Sequence, residues 1–205
     1  MTAGRLSAVA GLLGTPLFVV SWLVAGDVRS GYDPRAQAIS ELAELGSPTR
    51  WIVTLGLIVF GVLTVAFAPS VGRVLRAGAA AVAVAVNGAA TVMIALFPCT
   101  AGCPGADASA SDLGHMLAAT VAYVALVLAP LVAALTFARR GERSRAVTSA
   151  AFALVTAAVL LSWLAGVTPD AGGTLQRVAT TTGDAWFVVA ATWCLRTSFP
   201  VEGRR

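Results

Sequence analysis

Six stretches of the chain are almost unbroken apolar sequence, at about residues 6–26, 51–71, 77–97, 115–137, 146–167 and 179–196, and polar residues collect between them. None shows the strict alternation of a half-buried strand. Each holds about 18–24 residues, enough for a helix rising about 1.5 Å per residue to cross roughly 30 Å of hydrocarbon. Lipid offers no hydrogen bonds to the backbone, so a spanning segment is a helix or part of a closed barrel, and the absence of alternation excludes the barrel. The pattern predicts an all-α integral membrane protein, a single domain over residues 1–205 built as a six-helix transmembrane bundle.

Composition agrees with this reading. Hydrophobic residues make up 58 % of the 205 positions, charged residues 12 %, and mean hydropathy is +0.83, whereas soluble domains are about one quarter charged. Arg5 before the first apolar run, with "VAGD" after it, loosely resembles a secretory signal and cleavage site. A signal core holds about 7–15 apolar residues, and the longer run here predicts a retained helix. All 14 basic residues are Arg. Ten of them (Arg5, Arg73, Arg76, Arg139, Arg140, Arg143, Arg145, Arg196, Arg204 and Arg205) fall on one side of the predicted bundle, and four (Arg29, Arg35, Arg50 and Arg177) fall on the other. By the positive-inside rule the protein is a multi-pass protein of the cell membrane with both termini cytoplasmic. No basic helix or aromatic platform lies outside the membrane, so nucleic acid is not an expected partner.

The opposite, exterior segments hold Asp27, Asp33, Glu41, Glu44, Asp107, Asp112 and Asp170. In the first of them, "GYDPRAQAISELAELG", Asp33 followed by Pro34 has the form of an N-cap with proline at the first helical position. A short interfacial helix is expected to start there. Ala38, Leu42 and Leu45 would form its greasy edge, and Gln37, Glu41 and Glu44 a polar stripe facing water. Two readings follow: a solvated connector, or a lid whose Asp33, Glu41 or Arg35 closes over a cavity among the outer helix ends.

Candidate chemistry gathers on the same side. Cys99 and Cys103 in "FPCTAGCPG" suit a disulfide in an oxidising compartment. A metal pair with His115 is the sharper alternative, but no nearby ligands complete a four-fold set, so no metal is expected. His115 follows Asp112 by three residues on one helical face, an arrangement that fixes an imidazole tautomer for acid–base work; a helix-end anchor is the plainer reading. Asp184 lies inside the sixth window, where a carboxylate costs about 2.5–3.5 kcal/mol at the bilayer centre. It is either a functional acid or a structural partner of Asn87, a threonine or Arg177. Asn87 lies deep in the third window and is suited to bonding across helices. Because Asn87 is the only deep polar group, a conduction path is disfavoured. A single His excludes bis-histidine haem, and no nucleotide, hydrolase or zinc-protease motif appears, so no cofactor is expected.

The order of a first apolar helix, then "YDP" and "ISEL", then "FPC" leading to "GH", resembles the bacterial and archaeal membrane family known as domain of unknown function 998. The resemblance spans nearly the whole chain, implies six helices without an assigned activity, and marks Asp33, Ser40, Glu41 and His115. Many members carry an Asp where this chain has Thr100, which argues against an acid or metal role for that loop. Two function classes follow. One is a module that binds a membrane lipid, a hydrophobic small molecule or a membrane partner through Asp33, Arg35, Asp112, Arg177 and Asn87. The other is an enzyme acting on a lipid or isoprenoid-like substrate, remotely like small membrane terpene cyclases, with Asp184, His115 or Glu41 as acid or base. Such an enzyme wants aromatic walls; Trp22, Trp51, Trp163, Trp186 and Trp193 are available, although tryptophans near helix ends are usually interfacial anchors. A transporter is disfavoured because no matched halves or paired helix breaks are visible. Oligomeric state is left open.

Overall fold

The structure, a computed structural model, describes residues 3–103 and 108–198; Asp107, Arg204 and Arg205 lie outside the described residues. Among the described residues there is no strand. The helices among them are α1 (Ala3–Val28), α2 (Ile39–Leu42), α3 (Arg50–Arg73), α4 (Gly78–Leu96), α5 (Ala110–Arg139), α6 (Arg143–Leu164) and α7 (Gly172–Ser198), with a 3-10 turn at Pro169–Ala171. Five of them, α1, α3, α4, α5 and α6, are long and apolar enough to cross a membrane. At 27 residues α7 matches them in length. Its first half, "GGTLQRVATTTGD", is too polar to match them in apolarity.

The long helices stand in a ring. Each packs on the next in the order α1, α3, α4, α5, α6, α7, and α7 returns to α1. Their outer faces keep large apolar side chains exposed, among them Leu55, Leu117, Leu154 and Leu161. A helix that is apolar all round suits a hydrocarbon solvent. The interior is made of alanine and aromatic rings, with Phe67, Phe137, Trp186 and Phe187 fully buried. Helix association in lipid has little hydrophobic drive, so small residues that bring backbones together matter. One example is α3 on α4, where a Cβ added to Gly88 would lie 2.6 Å from the Gly61 carbonyl oxygen.

Buried hydrogen bonds fix neighbours in register. Asn87 Nδ2 donates to the Ala122 carbonyl at 2.9 Å, α4 to α5. Thr15 Oγ1 donates to the Asp184 carbonyl at 3.0 Å, α1 to α7. Trp186 Nε1 donates to Ser149 Oγ at 3.0 Å, α7 to α6. Trp186 is therefore a core residue and not the interfacial anchor its type suggests, because Ser149 satisfies its N–H away from water.

The short helix also departs from expectation. It spans only Ile39–Leu42, and Asp33 and Pro34 belong to a turn ahead of it. Asp33 Oδ1 accepts from the Arg35 N–H at 2.9 Å. A helix from residue 34 would need the carbonyls of residues 34 to 37 for its own ladder, but α7 has claimed them.

Candidate functional site

The first loop is fastened to α7 through those carbonyls. The first N–H groups of any helix lack partners within it. Here Gly173 donates to the Ala36 carbonyl at 3.0 Å and Thr174 to the Arg35 carbonyl at 2.9 Å. Gly173 has no room for a side chain, since a Cβ would sit 2.7 Å from the Pro34 oxygen. One turn on, Arg177 Nη1 donates to the carbonyls of Pro34 at 2.7 Å, Gln37 at 2.8 Å and Gly173 at 2.9 Å. Its Nη2 donates to the Tyr32 hydroxyl, and its guanidinium lies 5.4 Å from the Trp22 ring centre and 5.5 Å from that of Tyr32. Burial raises the Tyr32 phenol pKa against the opposing charge of Arg177. The phenol stays neutral and donates to the Ala38 carbonyl at 2.8 Å.

The rest of the loop is tied down by its acids. Glu41 Oε1 accepts from the Ala38 N–H and Oε2 from Gln37 Nε2, both at 2.8 Å. Glu44 pairs with Arg29 at 2.7 Å, and its other oxygen accepts from the Gly102 N–H at 2.7 Å. The Leu45 N–H donates to the Cys99 carbonyl at 2.8 Å. The stripe expected to face water is thus turned inward, with Glu44 only 7 % exposed, because Arg29 and Gly102 supply the partners that water would otherwise provide. Cys99 and Cys103 are joined with Cα atoms 5.0 Å apart. Cys194 stands apart from them, buried in α7.

Asp112 has a similar fastening task. Its Oδ1 accepts from the Thr100 N–H at 2.7 Å, and its Oδ2 accepts from the Ser109 N–H at 2.8 Å and the Ser109 hydroxyl at 2.6 Å. With Ser109 it forms the capping box that starts α5. The imidazole orientation expected from Asp112 comes instead from the chain: His115 Nδ1 lies 2.9 Å from the Phe97 carbonyl. A carbonyl only accepts, so Nδ1 carries the proton and Nε2 is the acceptor of the neutral ring.

Beneath this loop lies a cavity of about 380 Å³. Residues Ala38 to Glu41 roof it, together with Gly102 and Cys103. Phe18, Leu57, Phe60 and Leu126 contribute apolar wall, and Tyr123 and Trp163 meet edge to face with centroids 5.7 Å apart. On α7, Gln176, Thr180 and Asp184 recur every fourth residue and all three line the cavity, as side chains at that spacing share a face. Asp184 is 1 % exposed and Asn87 3 %. Asp184 Oδ2 and Asn87 Oδ1 are both buried without a hydrogen-bond partner. Met116 and Leu164, 51 % and 68 % exposed, also line it, so it opens sideways between the start of α5 and the end of α6.

The structure therefore brings His115, Glu41, Asn87 and Asp184 to one cavity and leaves Asp33, Arg35, Asp112 and Arg177 outside it. Asp33 and Arg35 are exposed. No ion pair joins Asp184 to Arg177 among the described residues, and no group of three His, Cys, Asp or Glu side chains there is placed to hold a metal ion. Trp163, one of the tryptophans available as aromatic wall, lines the cavity, and Tyr123, Gln176 and Thr180 enter as lining residues that residue type alone did not single out. The signal for the α7 set was present as polar residues four apart at Gln176, Thr180 and Asp184.

No curated protein and no solved structure matches this chain. The family model described as Protein of unknown function (DUF998) matches residues 12–193, and the chain belongs to that family.

Proposed function

We propose that the protein crosses the cell membrane six times, with α7 as the sixth span, both termini cytoplasmic and the cavity at the exterior end. We further propose that this cavity binds a lipid or a hydrophobic small molecule. The polarity of α7 fits a span whose stripe of Gln176, Thr180 and Asp184 faces a cavity instead of lipid. One observation carries the binding reading: a buried Asp184 oxygen with no partner faces a cavity with predominantly apolar walls and a side opening. Small-molecule sites combine apolar walls with a few convergent polar groups in volumes of about 300–1,000 Å³. Native proteins seldom leave a buried polar atom unsatisfied without a functional reason.

Mass spectrometry of protein extracted in mild detergent tests this. The wild-type protein should retain a molecule enriched over bulk membrane lipid, and Ala119→Phe, which puts a ring into the cavity away from the loop fastenings, should lose it. Retention of bulk lipid alone by the wild type would refute the reading. A second reading, acid–base catalysis on the bound molecule, is favoured by the free acceptor nitrogen of His115 on the same wall. It predicts that His115→Gln accumulates a different retained molecule from the wild type.

A further inference from the structure

We infer that the occupant of this cavity is a hydrophobic organic amine, held by its protonated nitrogen against Asp184; the inference rests on the binding reading above and adds the sign of the ligand. The polar groups facing the cavity are unbalanced. Among the described residues neither Arg nor Lys lines it, while Glu41 and Asp184 both do. Glu41 has spent both oxygens on Ala38 and Gln37, which leaves Asp184 as the carboxylate with an open site. Asn87 gives its amide N–H to Ala122, so that its orphaned group is the carbonyl oxygen, again an acceptor. The Nδ1 proton of His115 is committed to Phe97, leaving a third acceptor.

The hydroxyls of Tyr123 and Thr180 on the same walls can each supply a proton, but a buried carboxylate beside two further acceptors still calls for a ligand that donates and carries positive charge. The aromatic rings at Phe18, Phe60, Tyr123 and Trp163 suit the same ligand, since ring faces attract cations. An anionic headgroup has no counter-charge here. The terminal nitrogens of Arg177 are occupied by carbonyls and the Tyr32 hydroxyl, and the side chain does not line the cavity. The side opening past Met116 and Leu164 leads to where hydrocarbon would lie, so the ligand's remainder is apolar.

The test compares 4-phenylbutylamine with its neutral counterpart, 4-phenylbutan-1-ol, titrated calorimetrically into protein in nanodiscs with empty nanodiscs subtracted. A hydrogen bond to a buried charge should make the amine bind roughly tenfold or more tightly than the alcohol. In Asp184→Asn that preference should fall to near unity while alcohol binding persists. Equal binding of the two by the wild type overturns the amine inference and leaves the cavity reading intact. An amine preference surviving in folded Asp184→Asn overturns the role of Asp184. If neither probe binds, both readings fall. Should Asp184→Asn fail to assemble, the wild-type ratio alone decides: near one it refutes, near ten or above it upholds.

Discussion

Replacing Asp184 by Leu should make the ligand-free protein harder to unfold. The side chain is 1 % exposed, and its Oδ2 has no partner. What holds α1 to α7 at this point is the Asp184 carbonyl, which accepts from Thr15 and survives the substitution. No guanidinium lies within ion-pair reach among the described residues. The mutation therefore removes a burial cost and breaks no hydrogen bond that Oδ2 makes. An unsatisfied buried polar group costs about 1–3 kcal/mol, and a carboxylate in a spanning helix costs about 2.5–3.5 kcal/mol at the midplane and less toward the ends. The adjoining cavity of about 380 Å³ gives the extra methyl groups room, so overpacking is slight. A net gain of about 1–3 kcal/mol follows. By contrast Trp186→Ala, two residues on, removes a fully buried ring and orphans Ser149, for a loss of about 3–5 kcal/mol. Thermal and denaturant unfolding of delipidated protein in one detergent would measure both. A loss of about 1 kcal/mol or more in Asp184→Leu would mean that the carboxylate is a structural partner, and its assignment to the site would fail with it. Stability gained where binding is lost is the usual trade at functional positions.

Three further outcomes can be checked. Arg177→Met removes three carbonyl contacts and the Tyr32 contact, worth together about 4 kcal/mol at roughly 1 kcal/mol each for bonds that water can partly replace; hydrogen exchange should accelerate at residues 32–38 and stay unchanged in α3 and α4, and unchanged exchange in the loop would refute the fastening. Gly88→Ala places a Cβ 2.6 Å from one backbone atom and 2.9 Å from another, so it should cost about 1–3 kcal/mol as overpacking, while Gly78→Ala, with nothing within 4 Å, should be nearly neutral in the same unfolding assay. In intact cells a membrane-impermeant maleimide should label Arg35→Cys, whereas Ser144→Cys should label only after permeabilisation; the reverse pattern would overturn the proposed orientation.

Helix positions were legible because a spanning helix must be apolar for its whole length. The window at about 51–71 became Arg50–Arg73, and that at about 77–97 became Gly78–Leu96. The last helix begins earlier than its window, at Gly172, because its first turns are stabilised by loop carbonyls, by the Ile39 N–H donating to Gln176 Oε1 and by Arg177 donating to Pro34, rather than by apolar character. Asp33 and Pro34 carry a sound local helix signal, yet the helix forms later, once Glu41 reaches back to the Ala38 N–H. No periodicity reports that α7 takes the carbonyls in between. The same limit applies to the site. Residue type singled out His115, Asn87, Glu41 and Asp184, and all four line the cavity. It equally singled out Asp112 and Arg177, which hold loops and lie outside the cavity. Type and depth suggest which groups are chemically able, whereas spare valence depends on neighbours distant in sequence.

The closure of the ring carries a consequence for biogenesis. The wall that contains Asp184 is completed by the contact between Thr15 and Asp184, separated by 169 positions, so the pair cannot meet until α7 has been made. Until then α1 and α6 present an unsealed seam, and a chain stopped after α6 lacks the α7 wall of the cavity. Occupancy of the cavity would thus mark a finished molecule, and a retained ligand would work as a clasp across the last join to form.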